Sequence, residues 1–152
     1  YSFLEKDRRR INVAKAEKFG LEGPILGKIQ QGEDVLFKGK KIKADDVSTI
    51  IPGRKISYVA DTAPCDGANK LATDADLLIS EGTHLDDLRE KTEKYMHLTV
   101  KDAAIMASEN NAKKLVITHI STRYKEPSEI LAEAKTYFDN SSVAEDFMKI
   151  KV

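Results

Sequence analysis

The sequence predicts an α/β fold in which helices cover a sheet. From residue 54 onward, short apolar segments that end in polar residues alternate with longer amphipathic segments. Strands that alternate with helices of this length are typical of that architecture. The predicted order is strand, strand, helix, helix, strand, helix, strand, at residues 55–60, 75–80, 84–95, 99–110, 114–118, 128–138 and 142–152.

Local signals support these elements. Residues 75–80 and 114–118 are apolar runs of strand length. The second helix begins with Thr99 and Asp102 at the spacing of a capping box, with Asp in place of the usual Glu or Gln. Asn110 is expected to end that helix, and Pro127 precedes the third helix.

Residues 1–57 contain more turn signals than regular structure. A short helix is predicted from Val13 to Phe19, where Gly20 ends it. A hairpin is predicted in which residues 34–37 pair with residues 41–42 across Gly39. The other Gly and Pro residues indicate turns, so we expect little further regular structure in this part of the chain.

Composition excludes several classes of protein. The 152 residues are 41% hydrophobic and 33% charged, which excludes a disordered or collagen-like chain. The single cysteine, Cys65, cannot form an internal disulfide, and no apolar run approaches the ~20 residues of a membrane-spanning helix. The first residues do not form a signal peptide. We therefore expect a cytoplasmic protein that does not bind membranes.

Charge is distributed unevenly, although the formal net charge is zero. Residues 1–57 hold 13 basic and 8 acidic side chains, whereas the remainder holds 12 and 17. Clustered basic side chains can neutralise backbone phosphates of a nucleic acid. Such clusters are also common on ordinary solvated surfaces. The basic residues of the two clusters are Lys6, Arg8, Arg9, Arg10, Lys15 and Lys18, followed by Lys38, Lys40, Lys41 and Lys43.

Polar side chains follow three of the predicted strands. Asp61, Glu81 and His119 each come after an apolar strand segment. Open α/β sheets place their binding sites at the carboxyl ends of strands, and a carboxylate together with an imidazole can bind a divalent metal. Taken singly, an Asp that forms a turn and a His that bonds to a backbone carbonyl are the commoner roles.

Several short motifs follow one another in a consistent order along nearly the whole chain. They are Gly23-Pro24-Ile25-Leu26-Gly27-Lys28-Ile29 with Gly32-Glu33-Asp34-Val35, Pro52-Gly53-Arg54 leading to Asp61-Thr62, Ala75 to Thr83, His97-Leu98-Thr99, Thr118 to Tyr124, and Ala144 to Met148. As a set, they resemble bacterial and archaeal ribonuclease Z, the tRNA 3′-processing endonuclease of the metallo-β-lactamase superfamily. The resemblance implies a metallo-β-lactamase-like αββα sandwich, of which this chain would supply roughly the carboxy-terminal half.

The resemblance implies a role for each matching position of the predicted site. Asp61 would bridge two zinc ions, and His119 would bind the second of them. His97 would lie near the scissile phosphate and stabilise its charge or protonate the leaving 3′ oxygen, with Glu81 orienting the imidazole. Arg123 and Tyr124 would contact RNA, or alternatively form a salt bridge and a packed ring.

The Gly- and Pro-containing motif resembles the tRNA-binding arm of that family. Residues 1–48 are accordingly predicted to be a basic, arm-like region with a short hairpin, and residues 49–152 to be the carboxy-terminal half of the metallo-β-lactamase-like domain. Such an arm would bind folded tRNA through its phosphates and shape; the alternative is a linker. The RNA-binding residues predicted in it are Arg8, Arg9, Arg10, Lys15, Lys18, Gly23, Pro24 and Lys28.

The sequence departs from the family pattern at several positions. Ser80 stands where the family has His, Gly82 where it has Ala, and Leu98 where it has Ser, which affects the surroundings of His97 rather than the metal ligands. The His-x-His-x-Asp-His motif, which supplies most of the ligands in the family, does not occur. With two ligands, this chain alone should bind zinc weakly.

The predicted function is zinc-dependent removal of 3′ trailers from precursor tRNA, with two zinc ions per complete site and with this chain inactive alone. The resemblance further implies a homodimer in which the arm of one subunit presents tRNA to the active site of the other. Two alternatives stay open. One is a non-catalytic RNA-binding or assembly module, which the missing ligands favour; the other is a hydrolase of small phosphodiesters, which the arm-like motif disfavours.

Overall fold

The computed structural model describes residues 1–152, which form two compact units. The larger unit is formed by residues 1–4 and 54–152, and the smaller unit by residues 5–53. Each unit has an apolar core of its own. No helix in either unit is long and apolar enough to cross a membrane.

The elements are short throughout the chain. The strands are β1 (Ser2–Leu4), β2 (Arg8–Ile11), β3 (Val35–Phe37), β4 (Lys40–Ile42), β5 (Ser48–Ile51), β6 (Lys55–Val59), β7 (Leu77–Glu81), β8 (Leu115–Thr118) and β9 (Ser141–Val143). The α-helices are α1 (Val13–Lys18), α2 (Pro24–Gln30), α3 (Ala44–Val47), α4 (Asp66–Ala72), α5 (Arg89–Lys94), α6 (Val100–Glu109) and α7 (Pro127–Tyr137), and Asp86–Leu88 form a 3-10 turn before α5.

The larger unit is built around a five-stranded sheet in the order β1-β6-β7-β8-β9. Strands β6 to β9 are parallel, and β1 pairs antiparallel with β6 at the edge. Parallel neighbours need a crossover connection, which is usually helical. Helix α4 connects β6 to β7, α5 and α6 connect β7 to β8, and α7 connects β8 to β9. The predicted α/β architecture is therefore confirmed.

One face of this sheet is buried by helices. Val59, Ser80 and Ile117 are register partners across β6, β7 and β8, and all three are buried. The same core contains side chains of α4, α6 and α7. On the opposite face, Tyr58 is exposed and its register partner Ile79 is half-buried. The sheet thus has one packed face and one partly accessible face.

Helix α6 begins and ends where the sequence predicts. The Asp102 amide donates to Thr99 Oγ1 at 3.1 Å, and the Thr99 amide donates to Asp102 Oδ2 at 3.1 Å, which completes the capping box. Asn110 is the C-terminal cap.

Four elements of the larger unit differ from the prediction. Strand β1 is not predicted, and the helix predicted at residues 84–95 is replaced by the 3-10 turn and the shorter α5, because His84 pairs with Thr99 in a short bridge instead of beginning a helix. Helix α4 lies between β6 and β7, where the sequence analysis predicts no helix; its seven residues form about two turns, too few for a clear apolar period. The last strand is predicted to span residues 142–152, but β9 covers only Ser141–Val143. The Ala144 amide still donates to the Ile117 carbonyl at 2.8 Å, but β8 ends at Thr118, so a strand that continued well beyond Ala144 would have no backbone partner in β8.

The smaller unit contains more regular structure than predicted. Its expected helix and hairpin are confirmed as α1 and the β3–β4 pair, but β2 also pairs with β5, and α2 and α3 are additional helices. Gly23 has a φ of +65° and precedes Pro24, the first residue of α2. Proline favours this first helical position, so the Gly23-Pro24 pair begins a helix as well as a turn.

Gly53 allows two segments of the smaller unit to approach closely, because a Cβ there would lie 1.8 Å from the Glu5 carbonyl oxygen. The substitution Gly53→Ala is expected to lower the free energy of unfolding by ~1–3 kcal/mol or more. Gly27→Ala is the matched control, since its Cβ would meet no atom within 4 Å, and helix α2 should gain ~0.5–1 kcal/mol. Urea denaturation measures both, and equal stability of the two variants would contradict the prediction.

His84 is buried in the larger unit and is uncharged at neutral pH. Its Nδ1 lies 3.1 Å from Thr92 Oγ1, and only 5% of its surface is exposed. Burial lowers the pKa of His84, and the nearby positive charge of Lys91 lowers it further. The folded state therefore binds this proton less readily than the unfolded state does.

Acid should consequently destabilise the fold through His84. At a pH above the ordinary histidine pKa of about 6.5, His84 is uncharged in both states and does not change the free energy of unfolding. As the pH falls below that value, the unfolded state binds the proton before the folded state does, so the free energy of unfolding falls. The variant His84→Gln should lose part of this dependence in urea denaturation between about pH 5 and pH 8. Parallel pH profiles for the parent protein and the variant would rule out this role.

Candidate functional site

Three strand ends and one loop bring four polar side chains together at the carboxyl edge of the sheet. Asp61 follows β6, Glu81 is the last residue of β7, and His119 follows β8. His97 comes from the loop between α5 and α6. One potential ligand atom from each residue lies within 4.8 Å of the others, so the group could hold a metal ion.

Asp61 and His119 both adopt a left-handed backbone conformation, with φ of +49° and +53°. This conformation is uncommon in residues other than glycine, although Asp and His tolerate it better than most. Each left-handed residue turns the chain at the end of its strand, and Asp61 Oδ1 lies 3.3 Å from His119 Nε2. Local strain of this kind costs about 1–3 kcal/mol and clusters at functional sites.

The carboxylate of Glu81 is fully buried, and both of its oxygens accept hydrogen bonds. Its Oε1 accepts the Thr62 amide at 2.6 Å. Its Oε2 accepts the Thr83 hydroxyl at 2.9 Å and the Leu98 amide at 3.2 Å, and it lies 3.0 Å from His97 Nδ1. Both oxygens are therefore occupied within the protein, which makes Glu81 suited to orient other groups rather than to bind a metal directly.

The loop that carries His97 is fixed at both of its ends. The His97 amide donates to the Thr92 carbonyl at 3.0 Å. Arg89, at the start of α5, donates to Asp102 of α6 at 2.8 Å and also bonds to Asp86. The hydrogen bond to Asp102 is the main reason why the pKa of Arg89 is raised. The position of His97 is thus determined by the α5–α6 packing as well as by Glu81.

The available atoms fit two ligands of a tetrahedral zinc ion. Zinc lies ~2.0–2.1 Å from nitrogen and oxygen ligands, which places two tetrahedral ligands ~3.3 Å apart. The 3.3 Å between Asp61 Oδ1 and His119 Nε2 matches this separation. A catalytic zinc has at least three protein ligands, so a complete site needs ligands beyond these two.

The two histidines of the cluster border an open cavity of about 540 Å³. Its lining also includes Thr83, Tyr95 and Thr122. A cavity of this kind gives a substrate access to the imidazole of His97. Thr83 lies in the same motif as Glu81 but is not among the site residues predicted from the sequence, because its contact with His119 joins residues 36 positions apart.

The predicted RNA-binding residues of the smaller unit lie in different environments. Side chains alternate along β2, so Arg8 and Arg10 are exposed, whereas Arg9 points inward and donates to Asp45 Oδ1 at 2.5 Å and to Ser48 Oγ at 2.9 Å. The remaining predicted residues of this unit are exposed: Lys15, Lys18, Gly23, Pro24 and Lys28.

In the larger unit, Arg123 is exposed and Tyr124 is half-buried. The Tyr124 hydroxyl accepts the Leu85 amide at 2.9 Å, and its ring packs against the main core. Tyr124 therefore has a structural role in holding the chain beside His119.

Comparison with known proteins identifies relatives of the whole chain, although no protein-family model matches it. Ribonuclease Z of Archaeoglobus fulgidus is 41% identical over 157 residues, which cover all of this chain and 51% of that protein. The chain therefore spans about half the length of the curated relatives it matches.

Two solved structures resemble the fold. The metallo-β-lactamase fold protein YhfI from Bacillus subtilis has a TM-score of 0.55 and 27% identity, over 64% of this chain and 40% of that one. The short form of human tRNase Z has a TM-score of 0.51 and 33% identity, over 76% of this chain and 40% of that one. The chain thus has a metallo-β-lactamase fold, and over its whole length it is similar to about half of a full-length ribonuclease Z.

Proposed function

We propose that this chain is part of a zinc-dependent endoribonuclease that removes 3′ trailers from precursor tRNA. The observation that carries the proposal is the cluster of Asp61, Glu81, His97 and His119 at the strand ends of a chain related to ribonuclease Z over its whole length. Carboxylate and imidazole ligands suit many metal hydrolases. The relatives favour a phosphodiester of RNA among the possible substrates.

In this proposal, Asp61 and His119 hold the metal. Two zinc ions would occupy a complete site, with Asp61 between them, and the remaining ligands would come from the part of the relatives that this chain does not match. Bound zinc would supply a hydroxide at neutral pH and offset the negative charge of the phosphate.

His97 is proposed to act on the leaving group. Glu81 accepts a hydrogen bond from Nδ1, which leaves Nε2 as the nitrogen that can reach the substrate. From there it would stabilise charge on the phosphate or donate a proton to the departing 3′ oxygen. A well-placed general acid contributes a factor of ~10²–10⁴ to the rate.

The partly accessible sheet face supports the placement of this chain within a larger fold. Phe3 is 70% exposed and Tyr58 is 45% exposed, and both lie on the face opposite the helices. Large apolar side chains exposed on one sheet face are typical of a surface that packs against another element. We propose that the rest of the protein supplies a second sheet there, as in an αββα sandwich.

The smaller unit is proposed to bind tRNA, with Arg8, Arg10, Lys15, Lys18 and Lys28 contacting backbone phosphates. These cations are exposed and belong to one compact unit, so a folded RNA could contact several of them together. Arg123, exposed beside His119, is proposed to contact RNA in the larger unit. The family resemblance also underlies the proposal of a cytoplasmic homodimer in which one subunit presents tRNA to the other.

A second candidate, an RNA-binding module without catalysis, is favoured by the ligand count. The described cluster offers Asp61 and His119 as direct ligands, fewer than a catalytic zinc requires. Under this alternative the protein would bind precursor tRNA without holding zinc or cutting the RNA.

Replacing single members of the cluster separates metal binding from proton transfer. In the complete protein, His97→Ala should lower the rate of single-turnover cleavage of precursor tRNA by ~10²–10⁴ with an unchanged zinc content. Asp61→Asn and His119→Ala should instead lower the zinc content measured by elemental analysis. His84→Gln is the control, because His84 lies outside the cluster. Full cleavage activity in the His97 variant would refute the assignment.

Exposed and inward-pointing arginines alternate along β2, which allows a test of tRNA binding by this unit. Replacing Arg8 and Arg10 together by alanine should weaken tRNA binding and reduce the slope of log K against log salt by ~0.7–0.9 for each phosphate that is no longer neutralised. The fold should be unaffected, because both side chains are exposed.

Arg9→Ala is the matched comparison on the same strand. It removes the hydrogen bonds to Asp45 and Ser48 and should lower the stability of the smaller unit by ~1 kcal/mol or more. Binding titrations at several salt concentrations and urea denaturation give the two readings. An unchanged salt slope for the double variant would argue against phosphate binding by Arg8 and Arg10.

A further inference from the structure

Thr83 lies between the two histidine-bearing segments of the site and is held there by its backbone. Its amide donates to the Leu98 carbonyl at 3.0 Å, next to His97, and its carbonyl accepts the Ser121 amide at 3.0 Å, just past His119. The residue is 8% exposed. Its side chain is therefore fixed relative to both histidines.

The hydroxyl of Thr83 joins Glu81 to His119. Oγ1 lies 2.9 Å from Glu81 Oε2 and 3.1 Å from His119 Nδ1. A hydroxyl has one proton to donate, and an ionised carboxylate can only accept. The proton of Thr83 is thus directed to Glu81, which leaves a lone pair of Oγ1 to accept a proton from His119 Nδ1.

Glu81 cannot make this contact itself. Its Oε2 is 3.9 Å from His119 Nδ1, beyond the 2.7–3.2 Å range of an N–H···O hydrogen bond. By contrast, the same oxygen lies 3.0 Å from His97 Nδ1. One buried carboxylate therefore orients His97 directly, and it reaches His119 only through the Thr83 hydroxyl.

We propose that Thr83 is a positioning residue that holds His119 in the tautomer protonated at Nδ1, so that the lone pair of Nε2 faces Asp61. The proposal rests on the proposed metal site, and it does not depend on which substrate is cut. It places Thr83 in the role of the hydrogen-bond acceptor that commonly stands behind a metal-binding histidine, where removal of the partner weakens metal affinity by ~10–100-fold.

The tautomer can be read directly by nitrogen NMR of the metal-free protein at mildly alkaline pH in an Asp61→Ala background, because the Asp61 carboxylate 3.3 Å from Nε2 would otherwise draw the proton of His119 to that nitrogen. With Thr83 present in this background, His119 should carry its proton on Nδ1, although a free imidazole side chain prefers Nε2. In Thr83→Val, which keeps the shape of the side chain but removes the hydroxyl, His119 should shift toward the Nε2-protonated form. Thr83→Ser keeps the hydroxyl and should restore the Nδ1 form.

The zinc affinity of the complete protein, measured by competition with a chelator, gives a second reading. Thr83→Val should bind zinc ~10–100-fold more weakly than the unaltered protein, and Thr83→Ser should bind it nearly as well. Thr92→Val is the matched control, because Thr92 Oγ1 lies 3.1 Å from His84 Nδ1 in a similar pair outside the cluster. That variant should alter the tautomer of His84 and leave zinc affinity unchanged.

The outcomes separate this inference from the proposed function. An Nε2-protonated His119 in the Asp61→Ala background with Thr83 intact would overturn the role of Thr83 even if Thr83→Val failed to fold. Equal zinc affinity of the folded Val variant and the unaltered protein would also overturn it. If precursor tRNA were not cut but the tautomer and the affinity changed as expected, the proposed substrate would be wrong and the role of Thr83 would stand.

Discussion

The candidate site depends on the burial of one carboxylate. Glu81 is completely removed from solvent, and a buried charge is tolerated only when its hydrogen-bonding capacity is met inside the protein. The partners come from three places: the turn after β6, the segment directly after β7, and the loop before α6. The hydrogen bonds that Glu81 accepts therefore hold next to each other the same segments that carry Asp61 and His97.

Parallel strands bring the remaining groups to the same edge. Because β6, β7 and β8 run in one direction, their carboxyl ends lie side by side, and the residues that follow them are neighbours. The left-handed conformations of Asp61 and His119 then keep the two side chains beside each other instead of letting the chain continue outward. The packed face and its helices hold this edge in place.

The smaller unit shows how local geometry selects among identical residues. Three consecutive arginines have the same charge, but the period of two along β2 sends Arg9 inward, to Asp45 and Ser48, and leaves Arg8 and Arg10 exposed. The inward arginine stabilises the unit, whereas the outward pair contributes to a surface charge suited to an anionic partner. A count of basic residues does not distinguish these roles.

Local patterns in the sequence were enough to predict the α/β class, the ends of α6 and the strand-end positions of Asp61, Glu81 and His119, because these follow from periodicity, capping and spacing. The motifs also indicated ribonuclease Z, to which the whole chain is similar. Helices α2 and α4 are not predicted, since seven residues are too few to show a clear helical period of apolar side chains.

The pairing of Arg9 with Asp45 and the position of Thr83 beside His119 are visible only in the folded chain. Each of these contacts joins residues 36 positions apart, and their geometry depends on strand register and helix packing, which no single stretch of sequence contains.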